Sequence, residues 1–486
     1  MGFEPDCSGA IDVTVDPRTK HGGRDSTVAA VPVHTEKRAF AQGRQGCVSG
    51  VGEVCLGSGA CLILATLLIT LLLSTLSTSS VHADTPRPRT NLQITLWESG
   101  TPGERELLSE LVFSFQRANP DIVIALEWHD IDLLDDLVRR WCGRYRDHAP
   151  DVTVLPEMMA YDYRDHLIEL PSDLRATLRD EFAPSVVRRA RGRAGGVPWS
   201  VGTPALYYRT DLFEEAGLSV PRTPEELIEA AEVLADPPHC YGLGVPGPGG
   251  GGEKLLHTLA SAFGPGRRER DDRDDARDGE TRDANERDNE EDADEDQDDE
   301  DEPDPIVRAL ELLVAVQARG GLQPEVLTWS ESDLVDLFAE GRLAMMIARP
   351  QAAGALRRPA QDEDEMEWST APLPMTDRGV GQVEVDWLVV FENSGRRENA
   401  LRFLQYIAEQ ESQRALTTLP AVPATRALAQ EFADRKPWSG HIPALEGGEG
   451  VTMSTWERRR GELADAFAWA ISGRLTPSEA LERARQ

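Results

Sequence analysis

The chain of 486 residues is poor in cysteine, and its six are unevenly placed. Cys7, Cys47, Cys55 and Cys61 precede or open one apolar run, leaving Cys142 and Cys240 for the remainder. No CxxC or CxxC/HxxxH spacing occurs, which excludes a structural zinc site of the usual kind. The G-x-S-x-G, H-E-x-x-H and Cys/His patterns of hydrolytic enzymes are absent as well. Four consecutive glycines at 249–252 lack the G-x-x-x-x-G-K-[ST] order that cradles phosphate, so that stretch reads as a flexible loop. Net positive charge is missing too: the formal net charge of −34 argues against a nucleic-acid surface, which needs Lys and Arg gathered to neutralise phosphates.

The negative charge is concentrated. Between Arg267 and Asp304 stand 22 acidic residues against 7 arginines, with no large apolar side chain among them. Burial has nothing there to offset the entropy of ordering, so residues 266–304 are expected to form a disordered acidic insertion. A calcium role is disfavoured because no D-x-D-x-D-G loop with a closing Glu is present.

One apolar stretch runs from Cys61 to Leu76 and is shorter than the ~20 residues a spanning helix needs. It is followed by small polar residues and Val81-His82-Ala83, whose small side chains at the −3 and −1 positions suit a signal peptidase. Residues 1–83 therefore read as an export signal with a long N-terminal extension, cleaved after Ala83. An uncleaved membrane anchor is the alternative. With 40% hydrophobic residues, the rest of the chain is long enough for more than one core.

Beyond that run, NLQITLWESG alternates as a strand, and Leu107, Leu108, Leu111, Val112 and Phe115 repeat at helical spacing. DIVIALEW, the helix LLDDLVRRWCGRYRDH and PDVTVLP follow. This strand–helix–strand–helix–strand order implies a parallel sheet with right-handed crossovers. Further on, PDPIVRALELLVAVQARGG and RENALRFLQYIAEQESQRAL read as helices, and MMIARP and QVEVDWLVVFENS as strands. Thr476-Pro477-Ser478-Glu479 has the marks of a helix start: an N-cap hydroxyl, Pro at the first position and Glu at the third.

Several segments together resemble the sugar-binding (maltose-binding-like) family of bacterial extracellular solute-binding proteins. GGVPWSVGTPALYYRTDLFEEAGLSVPRTPEEL is similar to that family's G-x-P-W/Y strand followed by L-Y-Y-N-K-D-L-F-x-x-A-G-L. LFAEGRLAMMIARPQAAGAL, ALRFLQYIAEQESQRALTTLPAVPATRAL and the ending SGRLTPSEALERA resemble further family segments, in the family's order, across residues 91–486. The departures are Arg209 and Thr210 in place of Asn-Lys, Gln351 in place of a tryptophan that often serves as a sugar platform, and the acidic insertion.

The resemblance implies an α/β fold of two lobes, a type II periplasmic-binding-protein architecture with a hinge between two α/β sandwiches. It implies an N-terminal lobe of residues 84–204 plus 350–392 and a C-terminal lobe of 205–349 plus 393–486, with crossings near residues 202–206, 347–350 and 391–394. It further implies an extracytoplasmic substrate-binding component of an ABC importer. Such a protein is no enzyme: it captures a carbohydrate by hinge closure and delivers it to membrane permease subunits. A monomer without cofactor, metal or nucleic-acid partner is expected. Alternatives are the same fold with a non-sugar solute (a polyamine, phosphate ester, iron chelate or peptide) or a secreted glycan-acting enzyme.

Sugars offer flat C–H faces and rims of hydroxyls, so aromatic rings and carboxylates are the side chains to look for. Trp97 and Glu98 end the first strand, where family members contact ligand. Tyr161 follows the third strand, with Glu157 close by. Trp199 enters the hinge, and one of Tyr207 and Tyr208 faces the cleft by alternation, Tyr207 being the choice. Trp387, with Asp386 beside it, and Trp456 occupy positions that resemble cleft tryptophans. Trp141 and Trp469 read as core. Cys142 and Cys240 fall on different lobes and are expected to be free thiols.

Overall fold

The computed structural model describes residues 90–98, 103–190, 196–264, 303–356, 366–419, 421–448 and 453–486, with no account of side chains at Glu98 or 453–458. The export signal expected over 1–83 and the acidic insertion up to residue 302 lie outside the described residues. Asp304, placed in that insertion from its charge, instead caps the helix Pro305–Ala318: its Oδ1 accepts from the Ile306 N–H at 2.9 Å, and its Oδ2 pairs with Arg485 at 2.6 Å.

Two sheets organise the chain. The first has the order β2-β1-β3-β9-β4, from Ile122–Asp130, Thr90–Glu98, Val152–Pro156, Glu384–Val390 and Val197–Gly202. Strands β1, β2 and β3 run parallel, and β9 lies antiparallel between β3 and β4. The second sheet has the order β6-β7-β5-β8, from Tyr241–Gly244, Leu343–Ala348, Ala205–Arg209 and Trp368–Ala371.

Each sheet is covered by helices whose apolar stripe was legible in the sequence. In the helix Glu104–Ala118 the buried residues are Leu107, Leu108, Leu111, Val112 and Phe115, the spacing of one helical face. In the second lobe the helix Pro305–Ala318 buries seven residues, among them Leu310, Leu313 and Val316. Close approach fixes one glycine: a Cβ on Gly242 of β6 would stand 1.9 Å from the Ala231 carbonyl of the helix Pro224–Val233.

The lobe boundaries expected from the sequence need correction at two of three crossings. Strand Trp368–Ala371 pairs with β5 and Ala352 and Ala353 pack with Trp368, so residues 350–356 and 366–371 belong to the second lobe, and first-sheet pairing resumes only at Glu384. The chain also stays in the first lobe after β9. Helix Arg397–Ala408 is amphipathic, and its apolar face, Phe403, Leu404 and Ile407, is buried in the first core, Phe403 standing edge-on to Phe115 at 5.2 Å. Leu445 is still in the first core, whereas the helices Met453–Ile471 and Pro477–Ala484 belong to the second, so the third crossing comes after helix Arg397–Ala408 rather than near 391–394.

The crossings are tied to one another by buried polar groups. Thr203, between β4 and β5, donates its hydroxyl to the His441 carbonyl at 2.9 Å. The His441 ring reciprocates, with Nδ1 2.6 Å from the Thr203 carbonyl. A carbonyl only accepts, so the ring proton sits on Nδ1 and Nε2 is left to accept from the Tyr207 hydroxyl, 3.1 Å away. The one hydroxyl proton is shared between Nε2 and the Arg349 carbonyl at the end of β7, 3.0 Å away. Tyr207 and His441 are both fully buried, and burial holds His441 neutral, its pKa lowered to about 4. Removing the hydroxyl strands buried partners, so Tyr207→Phe should destabilise the protein by about 1–2 kcal/mol in thermal or urea melting. An unchanged melt would show that this network contributes nothing to the hinge.

Candidate functional site

A cavity enclosing about 570 Å³ of space free of protein atoms, part of it continuous with solvent, lies where the lobes meet. The first lobe supplies Pro156, Glu157 and Met158 from the end of β3 and the helix Glu157–Asp162. The second lobe supplies Lys254 and His257 from the helix Gly252–Ser261. Residues 382–386, the return of the chain into β9, close the remaining wall. Met158 packs against the second lobe's core, so the lobes are in contact here. The place agrees with the general rule that solutes of α/β folds bind beyond the carboxyl ends of parallel strands.

Strand alternation decides which side chains reach the cavity. Along β9, Glu384 and Asp386 are half-buried and face the cavity, whereas Val385 and Trp387 point into the first core. Trp387, expected from the sequence to face the cleft, is fully buried on the core side of this strand. Trp97 is likewise core: its Nε1 donates to the Val154 carbonyl at 2.8 Å, and its ring lies 5.9 Å from that of Trp141. Trp199 is buried in the same core, and Tyr207 serves the hinge network. Buried rings have no face left for a solute. Tyr161 is 47% exposed, with the Arg164 guanidinium over its ring, and does not line the cavity. Glu98 ends β1 and Trp456 sits in the helix Met453–Ile471, but both side chains lie outside the described residues. Cys142 and Cys240 are free thiols, one in each lobe's core region.

The lining is mixed: Pro156, Met158, Val383 and Val385 give it apolar surface, and Glu157, Lys254, His257, Gln382, Glu384 and Asp386 its polar groups. Arg189, nearly buried, reaches from the helix Pro184–Arg189 to Glu157 at 3.2 Å and to the Val383 carbonyl at 3.1 Å. Burial nevertheless pushes the Glu157 carboxyl up to about 7, with Glu384 adding to the effect and Arg189 opposing it. Asp386 is pushed up to about 6, first by burial and then by Glu384, against the pull of Arg349. Arg349 pairs with Glu384 at 2.5 Å, joining the end of β7 in the second lobe to the start of β9 in the first.

Gln382 is oriented by its neighbours. Its Oε1 accepts from the Thr258 hydroxyl at 2.6 Å, which leaves its amide N–H to donate to His257 Nδ1. The His257 proton then resides on Nε2, and burial, with Arg459, lowers its pKa to about 4, so the ring is neutral. Carboxylates accept, while the Gln382 amide, imidazole N–H and Lys254 donate: a complement for hydroxyl groups, each both donor and acceptor. Among the described residues no group of three His, Cys, Asp or Glu is arranged to hold a metal ion.

Two lobes joined by crossing strands, with a cavity of mixed lining between them, define a solute-binding protein of the two-lobed kind. Residues 146–440 match the family model described as bacterial extracellular solute-binding protein, and the chain belongs to that family. Its members bind solutes rather than transform them. A binding protein of Brucella abortus is 24% identical over 315 residues, 62% of this chain and 68% of the relative. The mannitol-binding protein of Pseudomonas aeruginosa is 23% identical over 350 residues, 65% of this chain and 73% of the relative. Among solved structures, the GacH receptor of Streptomyces glaucescens, solved without ligand and with acarbose, superposes with a TM-score of 0.62 at 18% identity, covering 82% of this chain and 97% of that one. The family is extracellular by description, in agreement with export of the chain.

The raised Glu157 pKa has a consequence for stability. The folded protein keeps this proton to higher pH than the unfolded chain, so the cost of ionising Glu157 sets in as pH rises from about 4.5 through about 7. Glu157→Gln should therefore gain on the parent by about 1–3 kcal/mol between pH 4.5 and pH 8 in parallel melts. Curves that stay parallel across that range would contradict a buried, reluctant carboxylate.

Proposed function

We propose that the protein is the extracytoplasmic receptor of an ABC importer, capturing a small hydroxyl-rich solute, a sugar or sugar alcohol, in the cavity between its lobes. The observation that carries this reading is the lining itself. Glu157, Glu384 and Asp386 offer acceptors, and Gln382, His257 and Lys254 offer donors. The mannitol-binding relative and the acarbose-bound structural neighbour support the same class of solute. Closure would be driven by contacts made to both lobes at once, with Lys254 and His257 approaching from one side and Glu157 from the other. In this reading the loaded receptor is a monomer that docks on membrane permeases. The signal is removed after Ala83, and Glu98 and Trp456 complete the site from the loop after β1 and the start of the helix Met453–Ile471.

Calorimetric titration of the full-length protein against monosaccharides, oligosaccharides, sugar alcohols, polyamines and phosphate esters tests the solute class. A hydroxylated solute should bind, and Gln382→Ala should weaken it at least tenfold, about 1.4 kcal/mol. Binding confined to phosphate esters or to unhydroxylated polyamines would refute the carbohydrate reading. The export claim is checked separately by the N-terminus of the secreted protein, expected at Asp84.

A further inference from the structure

A second cavity meets the first at an ion pair. It encloses about 1000 Å³ of space free of protein atoms, part of it open to solvent. It lies beyond the carboxyl end of β7, which runs parallel to β6, and so stands to the second sheet as the end of β3 stands to the first. Buried Met346, Ile347 and Ala352 give it apolar surface. Exposed Glu331 and Asp336, from the helix Glu331–Ala339, and exposed Gln351 give it polar groups. A sugar ring has the matching pair of surfaces, an apolar C–H face and an edge of hydroxyls.

Arg349 lines this second cavity, Glu384 lines the first, and their side chains meet at 2.5 Å. The pair therefore stands where the two spaces adjoin. The Arg349 backbone is tied to the hinge, its carbonyl 3.0 Å from the Tyr207 hydroxyl, so the guanidinium end is the part with freedom to move. The two side chains are 29% and 44% exposed, against 9% and 24% for Arg189 and Glu157. Water screens an exposed pair, which therefore contributes little, whereas breaking a buried pair strands a charge. Of these two pairs, Arg349–Glu384 is the one a solute can part. A hydroxyl entering between them accepts from the guanidinium and donates to the carboxylate, replacing the bonds lost.

We infer that the two cavities are chambers of one site for a chain of at least two sugar units, and that Arg349 and Glu384 determine its length specificity as the pair a second unit must part. This rests on the reading of the interlobe cavity as a carbohydrate site. It adds where the second unit goes and which side chains admit it.

The test is calorimetric titration of the full-length protein with three length series: glucose, maltose and maltotriose; glucose, cellobiose and cellotriose; xylose, xylobiose and xylotriose. In the series that binds best, the trisaccharide should bind at least tenfold tighter than its monosaccharide. Glu384→Gln removes the charge from the pair but keeps its shape and an acceptor, and it should raise that affinity ratio at least threefold. Ala355→Trp places a ring in the second chamber and should bring the members of the series within threefold of one another. Should either variant fail to fold, as judged by circular dichroism, the other decides.

Monosaccharides binding as tightly as the longer sugars would overturn the inference while leaving the carbohydrate reading intact. Binding of none of these sugars would overturn both. A ratio that Glu384→Gln leaves unmoved would overturn the role of the ion pair, and a gain with length that survives Ala355→Trp would overturn the assignment of the second chamber.

Discussion

Every feature of this protein depends on carrying one chain between two cores three times without leaving backbone polar groups stranded. At the first crossing, Thr203 and His441 solve the problem for each other, each side chain bonding to the other's carbonyl. A buried, unpaired carbonyl would cost about as much as a lost hydrogen bond. The reciprocal pair thus satisfies two buried segments at once and binds one crossing to the segment that precedes the third. Tyr207 extends the tie to the end of β7, and Arg349 carries it on to Glu384 at the mouth of β9. The hinge and the wall of the cavity are consequently one connected set of polar contacts, with one end fully buried and the other half-exposed.

That continuity gives closure a physical content. The groups facing each other across the cavity belong to different lobes: Glu157 to a helix seated on the first sheet, Lys254 and His257 to a helix packed in the second core. A solute that bonds to both stabilises the closed arrangement by the difference in contacts between closed and open states, and by no more than that. The raised pKa values of Glu157 and Asp386 report the same environment: the walls are dry enough to resist charge, so bonds formed there are stronger than in water.

Much of this was legible in the sequence, and what was not failed for identifiable reasons. The first three strands, their helices and the capping box at Thr476 declare themselves by periodicity and N-cap chemistry, and the structure has them. Strands Tyr241–Gly244 and Trp368–Ala371 are four residues long, too short for alternation to register, and missing the second displaced a lobe boundary. Trp97, Trp199 and Trp387 lie in the core because tryptophan in a strand next to a cleft is still a large apolar side chain, and strand parity turned Trp387 inward while turning Asp386 outward. Glu157 and Asp386 each stood beside a favoured aromatic. For Asp386 the signal that could have promoted it was the alternation in EVDWLVV: once its apolar members are assigned to the core, Glu384 and Asp386 must face the other way. Gln382, His257 and Lys254 gave no sequence signal, since what brings them together is the packing of a second-lobe helix against a returning strand.

The central claim is that the solute is held by the carboxylates and neutral donors between the lobes, not by stacking on buried tryptophans. A crystal structure of the protein with its highest-affinity solute tests this most directly. The account predicts solute density in hydrogen-bond contact with Glu157 or Asp386 on one side and with the helix Gly252–Ser261 on the other, Trp387 remaining in the core. Solute bound outside this cavity, or stacked on Trp97, Trp199 or Trp387 after their release from the core, would contradict it.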